Sequence, residues 1–184
     1  MISPIRFWPV RFWKPLLGLG LLLGAVWLVR ARQAQVKAAV REGVLEGPAR
    51  RRSFAELARD LDRAGLRLES RFARAANTPA NRQQARHVIG IERWGQSRLR
   101  VLAGESAFVP DGHQPYLPAE HLTLPQLREA ASLTRAATSE QARQFEKQPP
   151  VVDTAQHNDF GPLSARAWLR YLLFHAEFES RRLK

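Results

Sequence analysis

Apolar residues fall along this chain in two patterns. From Pro15 to Val29 they run unbroken as PLLGLGLLLGAVWLV, without a charge. From Phe54 onward they recur at steps of three and four, the spacing of one helical face. Phe54, Leu57, Leu61, Ala64, Leu68 and Phe72 mark a first helix. Ser53 with Glu56 is a capping box that sets its start, and it runs to about Ala75. Asn77-Thr78-Pro79 opens a second helix, with Pro79 suited to the first turn. Val88, Ile91, Leu99 and Leu102 give its apolar positions, and Gly104 its end. Thr123 with Gln126 opens a third, carrying Leu124, Leu127, Ala131, Thr134, Thr138 and Phe145, and Gln148-Pro149-Pro150 stops it. Ser164 caps a fourth, with Trp168, Tyr171, Leu172, His175, Phe178 and Leu183. The fold class predicted is all-α, a four-helix bundle over 53–184. Two long loops interrupt it. Residues 105–122 hold Pro110, Asp111-Gly112, Pro115 and Pro118; the other holds His157-Asn158-Asp159-Phe160-Gly161-Pro162. A loop as long as 105–122 either lies over a site or is a crossover between parallel helices.

The uncharged run at 15–29 spans about 22 Å as a helix, short of the ~30 Å hydrocarbon core. Lys14 and Arg30 can snorkel, and Trp13 and Trp27 suit the interface, so a single transmembrane helix is predicted. A basic n-region before 15 apolar residues also fits a cleaved signal peptide, with Val29-Arg30-Ala31 as its best, poor, cleavage site. Arg6, Arg11 and Lys14 precede the run, while Arg30, Arg32, Lys37 and Arg41 follow it, with Arg50, Arg51 and Arg52 beyond. The positive-inside rule then leans to a cytoplasmic bundle. The domain reading is a basic tail and anchor at 1–30, a basic linker helix at 31–52 and the bundle at 53–184.

Charge changes this picture less than its size implies. The net charge is +12, yet residues 1–52 alone hold ten Lys/Arg against two Glu. Most of the surplus flanks the apolar run, where it faces anionic lipid head groups. Arg59, Arg63, Arg67, Arg71 and Arg74 line one helix without interleaved aromatics, which reads as a solvated face before it reads as a phosphate site. Nucleic acid is therefore disfavoured as a partner. The partners expected are membrane lipid and a small-molecule substrate, with a homodimer left open. The chain has no Cys, which excludes disulfides, thiolate catalysis and Cys-ligated zinc.

Five histidines carry the remaining chemistry. His113, His121 and His157 fall in loops and read as polar surface residues. His87 and His175 sit among apolar helical neighbours, so each imidazole needs a hydrogen-bond partner in the core or a metal. Glu179 follows His175 by four residues, on the same helical face, roughly 6 Å away. His87, His175 and Glu179 would give two imidazoles and one carboxylate, a set that suits zinc, iron or nickel with open positions. The plainer reading of Glu179 is an end-of-helix acid that is solvated or paired with an Arg. Trp94, two turns after His87, walls such a pocket or simply packs in the core. Glu92 and Glu105 read as isolated acids, with Glu92 pairing near Arg93. No catalytic side chain is assigned.

The stretches HVIGIERWGQSRLRVLAGE at 87–105 and HNDFGPLSARAWLRYLLFHAEFES at 157–180 resemble the DinB-like superfamily of bacterial helical proteins. The resemblance covers 53–184. It implies a four-helix bundle with a crossover connection and a metal site of three His, one early in the second helix and a His-x-x-x-His pair in the last. His87 matches the first ligand and His175 the second, while the third falls at Glu179, where the usual His is absent. It also implies a transferase or isomerase that uses a low-molecular-weight thiol. Two functions follow: a membrane-tethered, divalent-metal-dependent enzyme, or a non-catalytic bundle with a degenerate metal site that binds a partner at the membrane.

Overall fold

The computed structural model describes residues 32–184, and within them the protein is all-α apart from one short ladder. The membrane segment expected within 1–30 lies outside the described residues. No described helix is long and apolar enough to cross a membrane. Residues 32–40 are helical, and Val40–Lys184 form one compact unit.

Four long helices build that unit: α1 (Phe54–Arg74), α2 (Pro79–Leu102), α3 (Leu124–Lys147) and α4 (Ala165–Glu179). Each start is set by a side chain that satisfies an otherwise orphaned backbone N–H. Ser53 Oγ accepts from Glu56 N–H while the Glu56 carboxylate accepts from Ser53 N–H at 2.8 Å. Thr78 Oγ1 accepts from Asn81 N–H ahead of Pro79. Thr123 and Gln126 repeat the capping box, and Ser164 Oγ accepts from Ala167 N–H. Ser164 is itself held from before the bundle: the buried Glu46 carboxylate accepts from both its N–H and its hydroxyl at 2.8 Å. The turns at Arg41–Glu46 and Gly47–Arg50 thus pack on α4, with Leu45 and Ala49 in the core.

Around the bundle the helices come in the order α1, α3, α2, α4. Asn77 at the start of α2 accepts from Leu124 N–H at the start of α3, and the Leu102 carbonyl at the end of α2 accepts from Val151 and Val152 past the end of α3. These two helices are therefore parallel, and residues 103–123 must cross the length of the bundle. The second loop contains an antiparallel ladder absent from the sequence expectation, β1 (Ala155–His157) with β2 (Gly161–Leu163), His157 opposite Gly161. The last helix also stops sooner than its apolar spacing predicts, passing at Ser180–Arg182 into a 3-10 turn.

The core falls into two apolar clusters. One centres on Leu57, Leu61, Trp94, Leu99, Phe145 and Trp168, the other on Leu68, Phe72, Val88, Ile89, Leu124 and Leu127. A buried polar group contributed by α2 and α3 lies between them. Glu92 is not the isolated acid expected: it is 3% exposed and its carboxylate pairs with Arg135 at 2.8 Å while accepting from Thr138 Oγ1. Arg93 instead donates to Thr134 Oγ1. Gln96 Nε2 donates to the Thr134 carbonyl and to Thr138 Oγ1. The basic stripe of α1 is partly neutralised, with Arg67 and Arg71 on Glu177 and Arg63 on Asp60.

Removing one partner of a buried ion pair strands the other charge, at a cost of about 3–5 kcal/mol. Arg135→Met is therefore expected to lower unfolding free energy by about that amount in urea titration of the full chain. The double variant Glu92→Met/Arg135→Leu is expected to recover most of the loss, because Arg135 Nε and Nη1 already lack hydrogen-bond partners.

Candidate metal centre

His87 faces outward from the first third of α2 and His175 from the last turns of α4, and the antiparallel run of these helices brings them together. Their ring centres are 5.1 Å apart. His87 and His175 are both partly buried. Burial, then the neighbouring His87 and His113 rings, holds the His175 pKa down at about 3. Burial and His113 also lower His87, against the opposing charge of Glu179. Both imidazoles are consequently neutral near pH 7, the form that binds metals.

Glu179, the third residue read from the sequence, lies close to His87 but is otherwise engaged. Its Oε2 accepts from Gln84 Nε2 at 2.9 Å and pairs with Arg182 at 2.8 Å. Its side chain is 12% exposed. The Arg partner anticipated for it is thus present, three residues along the chain.

The third imidazole at this place is His113, which the sequence reading left on the surface. Its ring centre is 5.1 Å from that of His87, edge to face. The loop carrying it is tied down by Asp111. That carboxylate accepts from Arg98, from Trp94 Nε1 at 3.0 Å and from Tyr116 OH at 2.8 Å. Burial raises the Asp111 pKa, and the bonds from Tyr116, Arg98 and Trp94 outweigh it and hold the group below the usual carboxylate range. The Asp111 carbonyl also accepts from Asn158, joining the two long loops. A turn at Gln114–Tyr116 follows, and Leu117 lies so close to α2 that a Cβ on Gly90 would sit 2.6 Å from its Cδ2. Nothing local in the sequence marks His113. Its position depends on Arg98, thirteen residues before Asp111, which is 1% exposed and stacks on Trp94 and Phe108.

His157 also departs from the surface reading. It is 3% exposed, with Trp94, Phe160, Trp168 and Tyr171 around its ring at 4.6 to 5.1 Å. Its Nδ1 accepts from the N–H groups of Asp159 and Phe160, which folds the turn of the ladder. Tyr171 spans the space between His157 and His175, and burial pushes its phenol pKa up. Trp94 is core, as its plainer reading had it, and additionally an anchor for Asp111. His121 is exposed.

Two imidazoles bound to one tetrahedral ion at 2.0–2.1 Å have ring centres about 5 Å apart, the separation between His87 and His175. Among the described residues, however, no group of three His, Asp or Glu that could hold a metal ion is found.

Two outcomes are expected. An imidazole with a lowered pKa is neutral when folded and takes up a proton when unfolded. Stability is therefore expected to fall as pH drops below about 6.5, the ordinary His value, towards about 3. In the chelator-treated chain, His175→Phe should flatten that fall, measured by urea unfolding at several pH values. Asp111→Ala is expected to cost roughly 1.5–3 kcal/mol, the value of hydrogen bonds to a charged group, and to raise hydrogen exchange across 105–122.

In comparisons with known proteins, no family model, no curated protein and no solved structure matches the chain.

Proposed function

We propose that this chain is a DinB-like helical bundle tethered to a membrane by its N-terminal segment, with a divalent transition-metal centre at His87 and His175. The observation that carries this reading is the pair itself: two partly buried imidazoles from different helices, with ring centres 5.1 Å apart. The motifs at 87–105 and 157–180 support the family assignment. The parallel α2 and α3, joined by a crossing loop, agree with the connection that the family implies.

In this reading His87 and His175 hold the ion through ring nitrogens, and the family pattern puts the third position at Glu179. A zinc, nickel or iron ion held there would supply Lewis acidity, lowering the pKa of a water or thiol or polarising a carbonyl. Tyr171 stays protonated beside His175 and can donate a hydrogen bond to a small-molecule substrate. The aromatic groups around His157 exclude water from the inner side of the site. The chain has no Cys, so a thiol nucleophile would come from a low-molecular-weight cofactor, as the resemblance implies.

One observation favours the second reading, a non-catalytic bundle that binds a partner at the membrane. Glu179 is spent on Gln84 and Arg182, and no group of three donors that could hold a metal ion is found among the described residues. Elemental analysis of the full chain, purified without a His-tag or chelator, separates the two. The enzyme reading expects close to one zinc, nickel or iron per chain, lost in His87→Ala and His175→Ala with helicity unchanged. No metal after reconstitution, with both variants merely less stable, would contradict it.

A further inference from the structure

We propose that the outer face of α4 docks on an anionic bilayer surface, with Phe174 and Phe178 at the acyl boundary and the arginines beside them on lipid phosphates. This rests on the reading of an N-terminal membrane tether. Phe174 is 39% exposed and Phe178 60%, one turn apart on the same side of the helix. Exposed apolar side chains scattered singly are ordinary, whereas neighbouring exposed rings with a polar rim form a patch of the kind that marks an interaction site. Each ring carries a guanidinium: Arg170 stands 4.4 Å from the centre of Phe174, and Arg182 stands 5.4 Å from that of Phe178. The order along the face is therefore Arg170, Phe174, Phe178, Arg182, at steps of four.

The charge of this face selects the partner. From Ser164 to Lys184 the chain holds five Lys/Arg and two Glu. Both acids are engaged within the protein: Glu177 by Arg67 and Arg71, Glu179 by Gln84 and Arg182. Their side chains are 20% and 12% exposed, against 65% for Arg181 and 60% for Arg182. The face shows solvent cations and aromatic rings, the complement of phosphates over an acyl layer. Long arginine stems let the charged heads reach the phosphates while the rings sit lower. The head of the stripe is fastened to the segment that leads in from the N-terminus, because Arg170 Nε donates to the Val44 carbonyl at 2.6 Å. Val44 is itself exposed and apolar. Fourteen residues lie between Val29, the end of the apolar run, and Val44, a connection that reaches about 50 Å even fully extended. At that range a tether holds the face at high effective concentration beside the lipid, so a contact too weak to recruit a free bundle suffices.

The chain has no Cys, so Phe178→Cys gives the full chain a single thiol for an environment-sensitive fluorophore. Phe174→Cys repeats the reading one turn earlier. Leu133→Cys, 66% exposed on α3 and diagonally across the bundle from α4, is the control position. Each labelled chain is reconstituted into vesicles of phosphatidylcholine, alone or with phosphatidylglycerol at three to one. Flotation reports association with the vesicles, and far-UV circular dichroism reports folding. In the anionic vesicles the labels at 174 and 178 should shift to the blue and lose about half their emission to doxyl-labelled lipid, and molar salt should reverse both. The label at 133 should stay in water throughout. Labels at 174 and 178 that stay wet on chains that float overturn the docking face and leave the tether standing, as does an equal blue shift in phosphatidylcholine alone. A blue shift at 178 in detergent, growing with protein concentration before any vesicle is added, overturns the proposal in favour of a second copy on this face. Chains that float with neither vesicle overturn the tether and the face together.

Discussion

Arg135 reaches all four helices. From α3 it lies along Gly65 of α1, where a Cβ would meet its Cγ at 3.0 Å, pairs with Glu92 of α2, and donates to the Leu172 carbonyl of α4. A guanidinium in that position has to be matched by a carboxylate, and Glu92 is 3% exposed like Arg135 itself. The pair lies between the two apolar clusters of the core. Arg135 also contributes, after burial and the other histidines, to keeping His175 uncharged. The residue that touches all four helices therefore also favours the neutral form of His175.

The parallel arrangement of α2 and α3 has a second consequence. Antiparallel neighbours could be joined by a few residues, whereas parallel ones need a connection that returns along the bundle. The returning chain passes over the His87 face of α2, and Asp111 pins it there. Of the two alternatives for the 105–122 loop, the parallel helices show the crossover. The hairpin turn is fastened to it through Asn158, so His157, Tyr171 and the loop form one wall.

Helix starts were legible because each is decided within four residues: Ser53 with Glu56, Thr78 before Pro79, Thr123 with Gln126, and Ser164. The apolar stripes were legible for the same reason, since they need only a fixed local period. His87 and His175 could be singled out by their apolar helical neighbours. What escaped depends on long-range pairing. Glu92 finds Arg135 over forty positions away, and His113 is positioned by Arg98 through Asp111. His157 is buried because aromatic residues from two helices and its own turn close on it. At the early end of α4, the buried Ser180 accepts from Arg71 of α1, a contact between residues 109 positions apart.

If His87 and His175 share one ion, as proposed, X-ray absorption at the metal edge of the zinc-loaded full chain will show it. At least two imidazole ligands are expected, seen as nitrogen scattering at about 2.0–2.1 Å with the multiple scattering of the rings. A shell of water and carboxylate oxygens alone, without imidazole, would contradict it.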